Sequence, residues 1–284
     1  MIFQTPDGRE IYYEIHEKNG VLGTIVLLHH GFGCTKIWKN IYPGFVEEGY
    51  KIIMFDRRGY GQSEPGENFS QFYMSDKFRP DSVNDMSHLI DFLGVRSFHI
   101  IGQCEGGVIG IDYAVRYPDQ VETIITSSTQ CFSSMTMVEK NKNDFKESFM
   151  ELKPALKEKL RQWHGENAQP FFEMFKYGGG AYGTGYFDLR PTLKKVLCPS
   201  LVIYPDRSSI FDVEQGVSFY KHLERGELAV LPSCGHNTYE YLPADYVRIS
   251  LEFLKRHNPK IKPLKQTDIL QGLSCLAVRE KEEG

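Results

Sequence analysis

SFHIIGQCEGGVIGIDYAVRYP, residues 97–118, joins an apolar β-branched run to a run with helical spacing through a turn flanked by glycines. Gly102, Cys104 and Gly106 have the G-x-S-x-G spacing of a strand–turn–helix elbow, with cysteine where serine usually stands. Glycine on either side removes the Cβ atoms that would collide as the chain reverses, so the central side chain is expected to stand clear at the end of a sheet. At a helix N-terminus the macrodipole favours a thiolate over a thiol. Glu105 opposes this, because a neighbouring carboxylate disfavours a second negative charge, and its side chain is expected to point away.

Outward from that turn, the first twenty residues read as a hairpin: IFQT, a PDG turn, then IYYEI and an NG turn. GTIVLLHHG, YKIIMFD, RSFHIIG, VETIITSS, PSLVIYP and GELAVLP are continuous apolar runs of the kind that fill a parallel sheet covered on both faces. Helical patterns (VNDMSHLIDFLG, VIGIDYAVRYP, VEQGVSFYKHL, ADYVRISLEFLKRH) separate most of them. The alternation predicts an α/β fold with a mostly parallel twisted sheet and right-handed crossovers.

About seventy residues between VETIITSS and PSLVIYP exceed a simple crossover. They carry a helical stripe of Phe145, Phe149, Leu152, Leu156, Leu160 and Trp163, with Pro154 starting or kinking a helix, and then a KYGGGAYGTGY stretch that reads as mobile. The expected organisation is a core of residues 1–130 and 188–257, an inserted helical cap over 131–187, and a weakly periodic, partly disordered tail over 258–284.

Three further segments, taken in order with GQCEGG, resemble the α/β-hydrolase superfamily. HHGFG (29–33) is similar to its H-G-x-G oxyanion loop, FDRRGYGQS (55–63) to its D-x-R-G-x-G-x-S segment, and GHN (235–237) to its histidine turn. The resemblance runs from the hairpin to about residue 257 and is weakest in the cap. It implies an α/β-hydrolase fold with Cys104 as nucleophile, His236 as proton carrier, and the backbone amides of Phe32 and Glu105 as the oxyanion hole.

The acid departs from the pattern. After the strand LVIY, relatives carry G-x-x-D, but PDRSSIFD (205–212) puts Ser208 in that slot, flanked by Asp206 and Asp212. The alternative loop, STQCFSS (128–134), offers no carboxylate. Asp206 is the expected third member, with Asp212 or no acid at all as the alternatives.

Composition narrows the remaining choices. The chain of 284 residues is 41% hydrophobic and 25% charged, with a formal net charge of −4, so no basic field grips nucleic acid. No stretch reads as a signal peptide or membrane span, which suggests a cytoplasmic protein acting on a small molecule. The six cysteines show neither metal-ligand nor disulfide spacing, so no metal or organic cofactor is expected. His29 and His30 read as structural members of their loop, and Asp56, Arg57 and Arg58 as braces. The activity expected is hydrolysis of an ester or thioester with an apolar acyl or aromatic part. An acyltransferase using the same acyl-enzyme and a catalytically silent ligand-binding homologue are the alternatives.

Overall fold

The computed structural model describes residues 1–19, 22–144 and 148–258. Phe145 and the tail beyond Asn258 lie outside the described residues.

Each apolar run forms a strand. The PDG turn closes a hairpin of β1 (Ile2–Gln4) and β2 (Glu10–His16), and the runs that follow give β3 (Gly23–Leu28), β4 (Tyr50–Phe55), β5 (Phe98–Gln103), β6 (Val121–Ser127), β7 (Ser200–Pro205) and β8 (Gly226–Leu231). They form a sheet ordered β1-β2-β4-β3-β5-β6-β7-β8. β3 to β8 are parallel to one another, and β2 runs antiparallel beside β4 with Tyr13 opposite Phe55.

Alternation along the strands feeds two cores. Val26 and Leu28 of β3 pack into one face, Ile25 and Leu27 into the other. Helices cover both faces, which is why these strands carry apolar side chains at nearly every position. The carboxyl ends of β3, β5, β7 and β8 lie along one edge and lead directly into the His29–Gly33 loop, Cys104, Ser208 and His236. Open α/β sheets place their ligands at that edge.

The insertion between β6 and β7 is helical, with helices at Met137–Asp144, Pro154–His164 and Ala168–Phe175. Pro154 starts the second of these, at a position where its missing N–H costs nothing. Phe149, Leu152, Leu160, Ala168 and Phe172 form a small core of their own, while Leu156 of the stripe is exposed and lines a cavity.

The middle of the glycine-rich stretch read as mobile is instead packed, with Gly178 to Tyr182 buried, while Thr184 to Tyr186 are exposed. Its glycines serve close approach. A Cβ at Gly178 would sit 2.5 Å from the Tyr73 ring, and one at Gly180 2.5 Å from a Glu105 carboxylate oxygen.

Candidate active site

The elbow has the geometry that its glycines permit. Cys104 stands between β5 and the helix Glu105–Arg116 with φ +52° and ψ −115°, a strained conformation for a residue with a Cβ. A Cβ on Gly102 would lie 2.6 Å from the Gly106 carbonyl oxygen, so the reversal tolerates only glycine there. The backbone is held from both sides: the Cys104 amide donates to Ser127 O at 2.8 Å, and the Cys104 carbonyl accepts from the Gly107 amide at 2.9 Å.

The thiol lies in a cavity of about 220 Å³ roofed by the insertion, with Trp163, Phe172 and Tyr182 among the lining residues. Its hydrogen bond is to the Tyr182 hydroxyl at 3.3 Å. Among the described residues none joins it to His236. Burial pushes the Cys104 thiol up to about 12; the Tyr182 hydroxyl pulls it back down, the Glu105 charge adds to the rise, and the Glu105 amide lowers it. At rest this is a neutral thiol, not the thiolate that the helix dipole alone would suggest.

His236 lines the same cavity. Its carbonyl accepts from Gln103 Nε2 at 2.9 Å and Ser128 Oγ at 2.6 Å, which ties the histidine turn to the ends of β5 and β6. Burial lowers its pKa to about 4, so the ring is neutral at physiological pH.

The partner of His236 Nδ1 is Ser208 Oγ, at 3.2 Å. Neither flanking aspartate takes that bond. Asp206 Oδ1 accepts the Cys234 amide at 3.0 Å while its other oxygen faces Arg207 at 3.5 Å, and Asp212 caps the helix Val213–His222 by accepting the Glu214 amide at 2.9 Å. Ser208 Oγ already accepts the amides of Ile210 and Phe211, at 3.2 and 3.1 Å. With both lone pairs engaged, the hydroxyl has its own proton to offer to Nδ1, which leaves the imidazole proton on Nε2.

On the β3 side, the Phe32 amide donates to His30 Nδ1 at 3.2 Å, and His30 Nε2 is 3.0 Å from the Tyr239 hydroxyl. Burial and the nearby His236 lower His30 to about 3. His164 of the insertion spans two loops. Its Nδ1 accepts the Gly61 amide at 2.9 Å, so Nε2 carries the proton and donates it to the Phe32 carbonyl, also at 2.9 Å.

Glu105 does not point away. It is buried, lines the cavity, and pairs with the equally buried Arg57 at 2.8 Å. Arg57 also donates to the carbonyls of His29 and His30, and Asp56 accepts the amides of Thr35 and Gln62, so these charged residues brace the loops as expected. Among the described residues no group of three or more His, Cys, Asp or Glu side chains is arranged to hold a metal ion, and no helix is long and apolar enough to cross a membrane.

Residues 23–179, more than half of the chain, match the family described as alpha/beta hydrolase fold. A proline iminopeptidase of Lactobacillus helveticus is 29% identical over 130 residues, 45% of this chain and 43% of that relative, so the chain spans under half of its length. A 2-hydroxy-6-oxo-6-phenylhexa-2,4-dienoate hydrolase of Burkholderia cepacia is 22% identical over 269 residues, covering 85% of this chain and 91% of the relative. The crystal structure of an enol-lactonase from Burkholderia xenovorans LB400 covers 89% of this chain and 99% of its own, with a TM-score of 0.70 at 17% identity, a likeness of fold alone. With the elbow, the sheet order and this family match in agreement, the chain belongs to the α/β-hydrolase fold family.

Proposed function

We propose that this protein hydrolyses an ester or thioester with an apolar acyl or aromatic part, through a thioester acyl-enzyme on Cys104. The observation that carries the reading is a thiol held at a strained elbow, φ +52°, inside an apolar cavity that His236 also lines. A cavity of about 220 Å³ exceeds the roughly 150 Å³ that holds benzene, so it accommodates an aromatic ring or a chain of similar bulk. The relatives described as hydrolases support the reaction class.

In this reading Cys104 Sγ adds to the carbonyl carbon as its proton passes to His236. The oxyanion, held by the amides of Glu105 and Phe32, collapses to the acyl thioester and expels an alkoxide or thiolate, which takes the proton from His236. Water then adds to the thioester, releases the carboxylic acid and restores the thiol. His236 Nε2 can accept a proton only after the imidazole proton has moved to Nδ1, which the Ser208 hydroxyl disfavours. The Phe32 amide must likewise leave His30. Both steps favour activated substrates, thioesters and aryl esters, over alkyl esters. The same acyl-enzyme passes its acyl group to an alcohol, amine or thiol where water is excluded.

The same Ser208 bond favours a second reading, a catalytically silent ligand-binding member of the family. Intact-mass analysis with aryl esters and acyl thioesters separates the two. Hydrolysis expects an acyl adduct on Cys104, lost in Cys104→Ala, and lower turnover in Cys104→Ser; no adduct and no turnover leaves the binding protein.

A further inference from the structure

Glu105 sets a carboxylate into the cavity wall beside Cys104, and the protein uses only half of it. Oε1 accepts from Arg57 Nη1 and from the Tyr60 hydroxyl, both at 2.8 Å. Oε2 accepts no hydrogen bond from the described residues, although Glu105 is 1% exposed and lines the cavity. A buried carboxylate oxygen without a donor is costly, and a ligand that brings a donor recovers that cost.

A Cβ at Gly31 would stand 2.8 Å from Oε2 and one at Gly180 2.5 Å, so the β3 loop and the insertion pack glycine backbone against this oxygen and bring no side-chain donor to it there. Arg57 cannot turn to Oε2 without abandoning the His29 and His30 carbonyls at 3.2 and 3.3 Å. Other polar groups of the cavity are engaged: Asn141 with the carbonyls of Phe175 and Gly178, Lys159 with Glu240, and Asp144 with Lys140. One carboxylate oxygen of a cavity-lining residue is thus left without a donor from the described residues.

We infer that Glu105 Oε2 receives a hydrogen-bond donor, an ammonium or a hydroxyl, on the carbon next to the scissile carbonyl. The preferred substrates are then α-amino or α-hydroxy acyl esters and thioesters rather than plain acyl ones. Cys104 and Glu105 are neighbours in the chain and line the same cavity, which is the ground for assigning the donor to the carbon next to the carbonyl. The inference rests on the hydrolase reading for the word substrate, but recognition is testable without turnover.

The probes are three unreactive amides, hexanamide, α-aminohexanamide and α-hydroxyhexanamide, titrated calorimetrically into the intact wild-type chain and into Glu105→Gln. The two donor-bearing amides are expected to bind the wild type about tenfold or more tightly than hexanamide, the ammonium exceeding the hydroxyl. Glu105→Gln is expected to abolish the advantage of the ammonium over hexanamide, both measured on the variant itself. Equal affinities for the three amides, or binding by none, overturns the inference, as does an ammonium advantage that survives in the variant. If the variant does not fold, the wild-type ranking decides alone. Turnover of the matching thiophenyl esters is read separately: the ranking without turnover removes the hydrolase reading and keeps the recognition, and turnover without the ranking does the reverse.

Discussion

Ser208 Oγ lies 3.2 Å from His236 Nδ1, where an acid of this family would stand, and two backbone amides already donate to that oxygen. A carboxylate there would keep both amides and accept from Nδ1–H, which moves the imidazole proton off Nε2. Ser208→Asp is therefore expected to raise kcat on an aryl thioester by about tenfold or more, since a wrong tautomer alone can cost orders of magnitude. Nitrogen NMR of His236 should show the proton moving to Nδ1; a rate and a tautomer both unchanged would refute the assignment.

With its thiol pushed up to about 12, Cys104 should react with iodoacetamide slowly at neutral pH. Site-resolved mass spectrometry is expected to show the rate rising about tenfold per pH unit from pH 7 to 10, with no plateau near the usual cysteine value of about 8.5. Tyr182→Phe removes a hydrogen bond that favours the thiolate and should slow the reaction a further few-fold. A plateau near pH 8 would mean that the thiol is not held neutral.

Acid should destabilise the fold well before most carboxylates titrate. His164 and His236 are lowered to about 4 and His30 to about 3, each mainly by burial. Each ring binds a proton more weakly folded than unfolded, so the stability present above about pH 6.5 drains away as the pH falls toward 4, with His30 extending the loss to about 3. Asp56, raised by burial to about 6, works in the opposite sense and offsets part of this. Chemical denaturation at pH 7.5 and pH 4.5 is expected to differ by several kcal/mol in favour of neutral pH. Equal stability at the two pH values would contradict the buried neutral histidines.

His164→Ala removes two of the bonds by which the Pro154–His164 helix holds the loops beneath it, leaving the Gly61 amide and the Phe32 carbonyl without that partner. A loss of about 2–3 kcal/mol is expected in urea unfolding. Faster hydrogen exchange should be concentrated in the insertion. Uniform exchange across the sheet would show that the bond does not hold the insertion in place.

The strands were legible because a sheet covered on both faces demands apolar side chains at successive positions. Cys104 was legible from its two glycines, whose role is fixed by backbone geometry within five residues. Other features depend on contacts far along the chain. Glu105 turns inward because Arg57 and Tyr60 receive it, and Gly180 is packed because that carboxylate lies against it. The partner of His236 was anticipated only as a gap: the sequence pattern showed serine in the acid slot, while proximity made Asp206 attractive, and its engagement with the Cys234 amide could not be read from spacing.

Phe32 is held at three points by different parts of the molecule. Its amide is tied to His30, its carbonyl to His164 of the insertion, and its ring packs 3.8 Å, centroid to centroid, from Phe175 of the insertion. The roof is thus also a lever. Any displacement of the insertion pulls on the carbonyl and ring of the residue whose amide the proposed reaction needs free of His30, so in that reaction access to the chamber and release of the amide would be mechanically one event.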